Sequence, residues 1–388
     1  MPVEFQLGSG DHRKVEEFLS RDPAGVAAIT LHTKRASYQD GAAEAARELG
    51  IDVLWDPRTE LLFHPDPSRR LQGLPGATTE PLDVDALARS YEARLDLVDA
   101  VLAAQPDLVT AVTPPTVLVE DERSARLAVD LAYATRVLSD LEVRPRVLLG
   151  SQASEGHVEL VATGLADHDI NWIELSLSPL RPETDGLRKF RRALARADVF
   201  TGKGIRVTLG NAGNLGPTAI ALGHVASYSV GISQGEQFDH RAAVSRQKNP
   251  PKPKFDDDGK PRKGAWHGAY LPPLAATVAK SSAEELLQHS DIRTRLGCRI
   301  DNCADSIRGL LDDTCTHYLH ARADEIAQVD ATPARWRPEA EARRLRRAQE
   351  LRGLLNARYL PAGHVKLPLT GLSNLLDLIS LENAAIAA

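Results

Sequence analysis

The segment from Arg144 to Ser233 constrains the fold of this chain most strongly, because four short apolar runs alternate in it with stretches of helical spacing. Alternation of this kind is typical of a parallel sheet wound through right-handed crossovers. Loops at the carboxyl ends of such strands converge on one face, so we expect the polar ends of the four runs to form one site. Gly, Ser and Asn also end ordinary strands, so any one end taken singly is better explained as an ordinary turn, whereas four in succession favour a shared face. The runs are Val147–Leu149, Trp172–Leu175, Ile205–Leu209 and Tyr228–Gly231, and their polar ends are Gly150–Gln152, Ser176–Pro179, Gly210–Asn214 and Ile232–Gln234.

Further strands are predicted at 27–31, 51–55 and 108–112, and an eighth at Tyr270-Leu271. Eight strands alternating with helices over about 270 residues match the size of a closed (β/α)8 TIM-type barrel. An open doubly wound sheet is the alternative, but no G-x-G-x-x-G follows any early strand. We therefore predict an α/β barrel over 1–290, with inserts at 60–82 and 246–268, and a helical extension over 291–388.

Composition restricts the partners of such a barrel. The formal net charge of −6 over 388 residues gives no global attraction to nucleic acid or to an anionic membrane. No apolar run approaches the ~20 residues that span a bilayer. The amino terminus lacks a signal pattern, so a cytoplasmic protein with no membrane partner is expected, with a homodimer as one expected assembly.

The second insert is rich in cations and prolines. Such a segment can bind a phosphate backbone, with cations giving affinity and aromatic side chains stacking on bases. A solvated loop of the same composition is the alternative, and the Arg-rich helix predicted over 338–357 has the same two interpretations. The residues proposed for nucleic-acid contact are Lys252, Lys254, Lys260, Arg262, Lys263 and Trp266.

All three cysteines lie in a short span after the predicted barrel, in the pattern Cys298-x4-Cys303-x11-Cys315-x4-His320. Three thiols and one imidazole are ligands that zinc prefers, and closed tetrahedral sites of this type are structural. His317 is an alternative fourth ligand. Burial as small apolar side chains is the competing interpretation of the cysteines.

The chain resembles the tRNA-guanine transglycosylase superfamily over about residues 144–322. The cysteines lead into His317–Arg322, which is similar to the family's zinc helix, and Val147–Gln152 is similar to its V-Q-G segment. Leu209–Gly213 resembles the family's L-G-x-G turn, and Gly223–Tyr228 its G-x-D-x-x-D stretch. The resemblance implies a barrel enzyme with structural zinc that exchanges a base in tRNA or DNA.

Two elements of the family pattern are replaced here. The D-S-G-G-F/Y segment, which supplies one catalytic Asp in the family, is missing, and Trp55–Thr59 is the nearest acidic strand end. The region of the family's nucleophilic Asp carries Ser227, Ser229 and Ser233 instead. The chemistry would therefore rest on other carboxylates.

We propose Asp56 and Glu174 as the catalytic acids, since one ends a strand and the other lies within a strand that should be buried. A salt bridge between Asp56 and Arg58 is an alternative role for that carboxylate. Amide and hydroxyl groups at strand ends are suited to reading a purine or amide edge. The predicted substrate-binding residues are His32, Arg58, Ser151, Gln152, Ser176, Asn211, Asn214 and Gln234. Alternative functions are a non-catalytic barrel that binds nucleic acid or a partner, and a barrel hydrolase or lyase acting on a small molecule.

Overall fold

The computed structural model describes residues 2–64, 71–232, 236–248, 268–300, 303, 309–360 and 365–387. Its strands are β1 (Val3–Gln6), β2 (Val26–Leu31), β3 (Asp52–Trp55), β4 (Ala111–Val112), β5 (Leu118–Val119), β6 (Glu142–Val143), β7 (Arg146–Leu149), β8 (Trp172–Leu177), β9 (Arg206–Leu209), β10 (Ser227–Gly231), β11 (Gly268–Leu271) and β12 (Ala276–Ala279).

The first ten strands form a closed parallel barrel. One sheet runs in the order β3-β2-β1-β10-β9-β8-β7-β5, and β4 pairs with β6. The ring closes between β3 and β4, where the Thr110 N–H donates to the Val53 carbonyl at 2.8 Å. Prolines divide two of the eight barrel strands, because proline has no N–H to donate to a ladder: β4 is separated from β5, and β6 from β7 by Pro145. The predicted (β/α)8 barrel is confirmed.

The identity of one strand was predicted wrongly. The barrel begins at β1, and β10 pairs in parallel with β1, so the ring is complete without Tyr270-Leu271. Those two residues belong to β11, which forms an antiparallel hairpin with β12 outside the barrel. The four-residue strand Val3–Gln6 was missed because its alternating polar and apolar side chains are too few to show a clear period.

The described helices are α1 (His12–Leu19), α2 (Asp40–Glu48), α3 (Val84–Arg89), α4 (Tyr91–Ala103), α5 (Glu122–Leu138), α6 (Glu155–Asp167), α7 (Leu187–Thr201), α8 (Leu215–Leu222), α9 (His240–Lys248), α10 (Lys280–Gln288), α11 (Ser290–Leu296), α12 (Gly309–Asp312), α13 (Thr314–Ala331), α14 (Arg337–Arg358) and α15 (Thr370–Ala387). No helix among them is long and apolar enough to cross a membrane.

The main apolar core lies between the barrel strands and the surrounding helices. Side chains alternate along each strand, so Val3, Phe5, Val147 and Leu149 face outward into this core. Their neighbours in sequence face the barrel axis, and these are charged or polar at many positions. The interior of the barrel is therefore a polar network rather than the usual stack of branched apolar side chains.

The C-terminal helices pack on one flank of the barrel and have their own small core with the β11–β12 hairpin. Buried arginines connect the two parts. Arg352 donates to the Leu274 carbonyl at 2.7 Å and pairs with Glu183 at 2.7 Å. Arg322, fully buried, pairs with Glu236 and with Glu325. Part of the charge on the Arg-rich α14 therefore holds the fold together.

Candidate active site at the barrel mouth

Three strands supply charged and polar groups to the inside of the barrel. Inward-facing positions of β1 carry Glu4 and Gln6, and Glu174 and Ser176 occupy the same positions of β8. Arg146 at the start of β7 lies in register with Glu174. Because neighbouring strands place such side chains within hydrogen-bond reach, acids and bases at one level must pair with each other.

Arg146 links the two predicted catalytic acids. Its Nη1 lies 2.7 Å from Asp56 Oδ2, and its Nε lies 3.4 Å from Glu174 Oε1. The same Nε donates to Ser176 Oγ at 3.0 Å, and this hydroxyl donates to Glu174 Oε1 at 3.0 Å. The Arg146 side chain is 6% exposed, whereas that of Asp56 is 21% exposed. Asp56 thus faces the solvent side of the network and Glu174 its buried side.

A second ion pair lies deeper in the barrel. Arg144 donates to Glu4 at 2.5 Å and lies 3.5 Å from Glu174 Oε2. Thr208 Oγ1 donates to the same Glu4 carboxyl group at 2.7 Å. Burial raises the pKa of Glu4, and the Arg144 charge opposes that rise. Glu4, Arg144 and Thr208 are all buried, so this lower layer contacts Glu174 from within the barrel.

Two amides meet at the upper end of the network. Asn211 Nδ2 donates to Gln6 Oε1 at 3.0 Å, and Gln6 Nε2 donates to Ser229 Oγ at 3.1 Å. Gln6 Nε2 also lies 3.4 Å from Glu174 Oε1. Asn211 has φ +50°, a left-handed conformation that Asn tolerates better than most residues, so its amide turns inward at the end of β9. Asn211 is therefore brought into the site, with Gln6 as a partner that the sequence analysis missed.

A cavity of about 280 Å³ opens above this network, and we call it the mouth cavity. Arg58, Arg146 and Arg246 contribute positive charge to its wall. Asp56 and Asp239 contribute negative charge, but Asp239 already pairs with Arg181 at 2.5 Å outside the cavity. The lining residues are Gln6, Leu7, Thr30, Leu31, His32, Thr33, Asp56, Arg58, Arg146, Asn211, Gln237, Phe238, Asp239, Ala243 and Arg246.

His32 and Arg58 both lie in this wall, and their predicted role in substrate binding stays a prediction. The Arg58 backbone N–H donates to Asp56 Oδ1 at 2.9 Å, with Arg58 itself at φ +56°. Burial, and then the nearby Arg58 charge, lower the pKa of His32. An imidazole with a lowered pKa and a partly exposed guanidinium (35% of its surface) therefore face the cavity together.

Glu60 was not foreseen. It lies in a short helical turn after β3, its side chain is fully buried, and neither carboxyl oxygen has a hydrogen-bond partner among the described residues. Arg58 Nε lies 3.9 Å away and Arg146 Nη1 4.0 Å away. Burial, followed by the Asp56 charge, raises the pKa of Glu60. In the sequence, Glu60 is an acid four residues after Asp56. It was overlooked because it was assigned to the insert that begins at residue 60.

A histidine pair borders the site. His64 Nε2 and His240 Nε2 lie 2.7 Å apart, and the His240 N–H donates to Ser178 Oγ at 2.8 Å. Burial, and then the neighbouring His64, lower the pKa of His240 to about 4. His240 begins α9, so this contact ties α9 to the first insert.

The other predicted substrate residues lie elsewhere. Ser151 and Gln152 are exposed on the loop after β7, outside the lining of the mouth cavity. Asn214 is buried and donates to Glu183 Oε1 at 2.9 Å and to the Ala275 carbonyl at 2.7 Å, so it joins the barrel to the C-terminal region. Gln234 lies outside the described residues, as do the predicted nucleic-acid contacts Lys252, Lys254, Lys260, Arg262, Lys263 and Trp266.

A second group of side chains could hold a metal ion. The donor atoms of Cys298, Cys303, His317 and His320 all lie within 4.8 Å of one another, and we call this group the Cys2His2 cluster. His317 Nε2 lies 2.7 Å from the Tyr270 carbonyl oxygen and donates to it, so Nδ1 faces the cluster. Cys303 Sγ is 3.6 Å from that Nδ1 and 3.1 Å from His320 Nε2.

The predicted ligand Cys315 is replaced by His317. Both residues lie on α13, where positions three apart share a face, so His317 and His320 point together. Cys315 is two positions before His317 and therefore points away, and it packs against the main core. Burial raises the pKa of the Cys315 thiol to about 12. The predicted Cys3His set is corrected to Cys2His2.

Comparison with known proteins gives structural likenesses only. No family model matches the chain, and no curated protein matches it. Thiamine phosphate pyrophosphorylase from Pyrococcus furiosus aligns at 14% identity and TM-score 0.33, over 64% of this chain and 93% of its own. A protein from Coccidioides immitis assigned as a fructose-1,6-biphosphate aldolase aligns at 14% identity and TM-score 0.34, over 65% and 80%. 3-Dehydroquinate dehydratase from Enterococcus faecalis aligns at 10% identity and TM-score 0.35, over 64% and 92%.

Proposed function

We propose that this chain is a barrel enzyme that acts at the mouth cavity on a small anionic substrate. The observation that carries the proposal is the position of Asp56. It is a partly exposed carboxylate at a strand end, held at 2.7 Å by Arg146 and oriented by the Arg58 N–H at 2.9 Å. A carboxylate fixed in this way is positioned to act as a base or a nucleophile.

The charges around Asp56 favour an anionic substrate. Because Arg146 is paired with Asp56 and Asp239 with Arg181, the cations that face the cavity are Arg58, whose Nε lies 3.9 Å from Glu60, and the exposed Arg246 at its rim. A volume of about 280 Å³ is at the lower end of the range for ligand pockets, so one small molecule, or one ring of a larger one, fits.

Glu60 supplies the complementary acid in this proposal. Burial and the Asp56 charge raise the pKa of Glu60, so this carboxyl group, next to the Asp56–Arg146 pair, takes up a proton more readily than an ordinary glutamate. A carboxyl group that readily takes up a proton, placed beside a partly exposed carboxylate, is a usual arrangement of an acid and a base in one site. We assign the base or nucleophile to Asp56, the proton store to Glu60, and anchoring of the substrate's negative charge to Arg58.

The test combines binding and turnover. Thermal shift is measured with a panel of small carboxylates, phosphate esters and nucleotides, for the wild type, Arg58→Ala and the matched exposed variant Arg47→Ala. We expect at least one anion to stabilise the wild type and Arg47→Ala but not Arg58→Ala. Conversion of that anion should disappear in Asp56→Asn and persist in Asp140→Asn, an exposed control. If no anion depends on Arg58, the proposal is wrong.

Base exchange on nucleic acid is a second candidate, and the Gln6–Asn211 amide pair favours it. Together the two amides offer donors and acceptors of the kind that read a base edge. In this reaction Asp56 attacks the anomeric carbon, the C–N bond breaks, and the departing base leaves with the electron pair and takes up a proton. An incoming base then forms the new C–N bond as the bond to the Asp56 carboxylate breaks, and it gives up the proton that its attacking nitrogen carried. The two displacements together retain configuration.

Base exchange is measured as incorporation of radiolabelled guanine into unfractionated tRNA and into DNA. We expect incorporation by the wild type and none by Asp56→Asn. Incorporation that persists in Asp56→Asn would remove Asp56 as the nucleophile, and no incorporation by the wild type would leave only the small-anion proposal.

We also propose that the Cys2His2 cluster holds structural zinc. Two thiols and two imidazoles satisfy a tetrahedral zinc ion, whose bonds are about 2.3 Å to sulfur and 2.0–2.1 Å to nitrogen. The protein supplies all four ligands, so no position is left for a substrate. Such an ion would join the segment of Cys298 and Cys303 to α13, and through His317 to the β11–β12 hairpin.

A further inference from the structure

Helix α7 carries a row of arginines on one face. Arg188, Arg192 and Arg196 follow each other at intervals of four residues, so their side chains lie one above another along the helix. Like charges at this spacing destabilise a helix. None of the three forms an ion pair with any described residue. Among the described residues, Glu155 attracts Arg196 without forming an ion pair, so their mutual repulsion is offset only in part.

These arginines line a cavity of about 500 Å³, which we call the α7 cavity. It lies between the first turns of α7 and the carboxyl ends of β7 and β8. Ser151 and Ser178 contribute polar side chains, and no described Asp or Glu lines it. Lys189 also lies in the wall, but it pairs with Asp185 at 2.8 Å. The wall is therefore cationic, with three unpaired guanidinium groups.

The start of α7 adds to this positive potential. The helix has 15 residues, its first turn contains no acidic residue, and its N-cap Gly186 makes no side-chain cap hydrogen bond. The first N–H groups of a helix carry a partial positive charge, which favours a bound anion.

Arg196 gives independent evidence for a ligand. It is only 7% exposed, and its Nη2 donates to the Ala153 carbonyl at 2.5 Å. Its Nε is also buried, but has no hydrogen-bond partner among the described residues. Burial, followed by the Arg192 charge, lowers the pKa of Arg196 to about 10. Arg196 forms no ion pair, and the Glu155 charge opposes the lowering of its pKa only in part. A buried guanidinium in this state is costly, and a bound anion would reduce that cost.

We propose that the α7 cavity binds the phosphate group of a small phosphorylated molecule. Guanidinium groups bind phosphate oxygens in pairs of parallel hydrogen bonds, and three of them suit a dianion. The volume accommodates a molecule of metabolite size. This inference goes beyond the proposed function, because the site is separate from the mouth cavity: the Leu180–Phe238 bridge, with backbone hydrogen bonds of 2.8 and 3.0 Å, lies between them.

The test is calorimetric titration of the full chain with inorganic phosphate and with ribose 5-phosphate, at constant ionic strength. Arg192→Ala is the main variant, because Arg192 is exposed and its replacement should leave the fold intact. Arg191→Ala is the matched control, since Arg191 is its exposed neighbour on α7 and does not line the α7 cavity. We expect Arg192→Ala to weaken binding at least tenfold, and Arg191→Ala to change it less than twofold.

Three results would overturn the proposal. One is the absence of phosphate binding by the wild type, and another is an equal loss in Arg191→Ala and Arg192→Ala, which would indicate non-specific attraction. The third is a loss in Arg58→Ala with unchanged binding in Arg192→Ala, which would place the phosphate in the mouth cavity. Failure of the mouth proposal alone would leave the Arg192→Ala result as expected, so the two proposals fail separately.

Discussion

Replacing Arg146 with Met tests the polar barrel interior most directly. The substitution keeps much of the side-chain length but removes the charge that pairs with Asp56 at 2.7 Å and with Glu174 at 3.4 Å. The Arg146 side chain is 6% exposed and Glu174 is 5% exposed, so solvent cannot take over the lost interaction. Breaking a buried ion pair from one side costs about 3–5 kcal/mol, mainly because the remaining charge is left unpaired.

This cost converts to a change in melting temperature. At about 2 °C per kcal/mol, a value suited to larger domains, Arg146→Met should lower Tm by about 6–10 °C at pH 7. The decrease should be smaller at pH 5, because an unpaired buried carboxylate takes up a proton more readily as the pH falls. Calorimetry and urea denaturation at both pH values measure the effect.

The matched control is Arg136→Met, at an exposed arginine on α5 that forms no ion pair among the described residues. It should change stability by less than about 0.5 kcal/mol. The double variant Arg146→Met/Glu174→Gln should recover part of the loss, because it removes the buried Glu174 charge that has lost one of its two arginine partners. If Arg146→Met and Arg136→Met melt within about 2 °C of each other, the buried ion pairs of Arg146 do not stabilise the barrel.

Three further outcomes are expected. Glu60→Gln should melt above the wild type at pH 8 and at the same temperature near pH 4. Because the pKa of Glu60 is raised in the folded state, the stability that its protonated form contributes is present below the ordinary pKa of 4.5 and is lost as the pH rises through the folded-state pKa. Equal pH profiles for the two proteins would refute a buried Glu60 with a raised pKa. Gly210→Ala should lower the free energy of unfolding by about 1–3 kcal/mol, because a Cβ there would lie 2.7 Å from Glu174 Oε1. An unchanged urea midpoint would show that the site has room for the added methyl group. Cys303→Ser should lose bound zinc while Cys315→Ser keeps one equivalent, measured by atomic absorption on protein purified without chelator; zinc loss in Cys315→Ser would restore the ligand set expected from sequence.

The alternation of apolar runs with helical spacing was sufficient to predict the barrel. Strand β8 and helix α5, for example, fall where their side-chain periods place them, because burial of one face imposes period 2 on strands and 3.6 on helices. The same local rule located Asp56, Glu174 and Asn211 at or near strand ends. Their convergence follows from parallel strand direction, which the sequence pattern also indicated.

The features that could not be predicted from the sequence depend on pairing between distant segments. The hydrogen bonds between β1 and β10 join residues more than 200 positions apart, and only their formation shows that Val3–Gln6 opens the ring. Arg146 belongs to the site because it pairs with Asp56 across the barrel, and the two residues are 90 positions apart in the chain. The packing of α13 likewise directs His317, and not Cys315, toward the Cys2His2 cluster, since the direction of a side chain depends on how its helix packs. Spacing along the chain fixed which elements form, whereas register and packing decided which charged groups share a buried space.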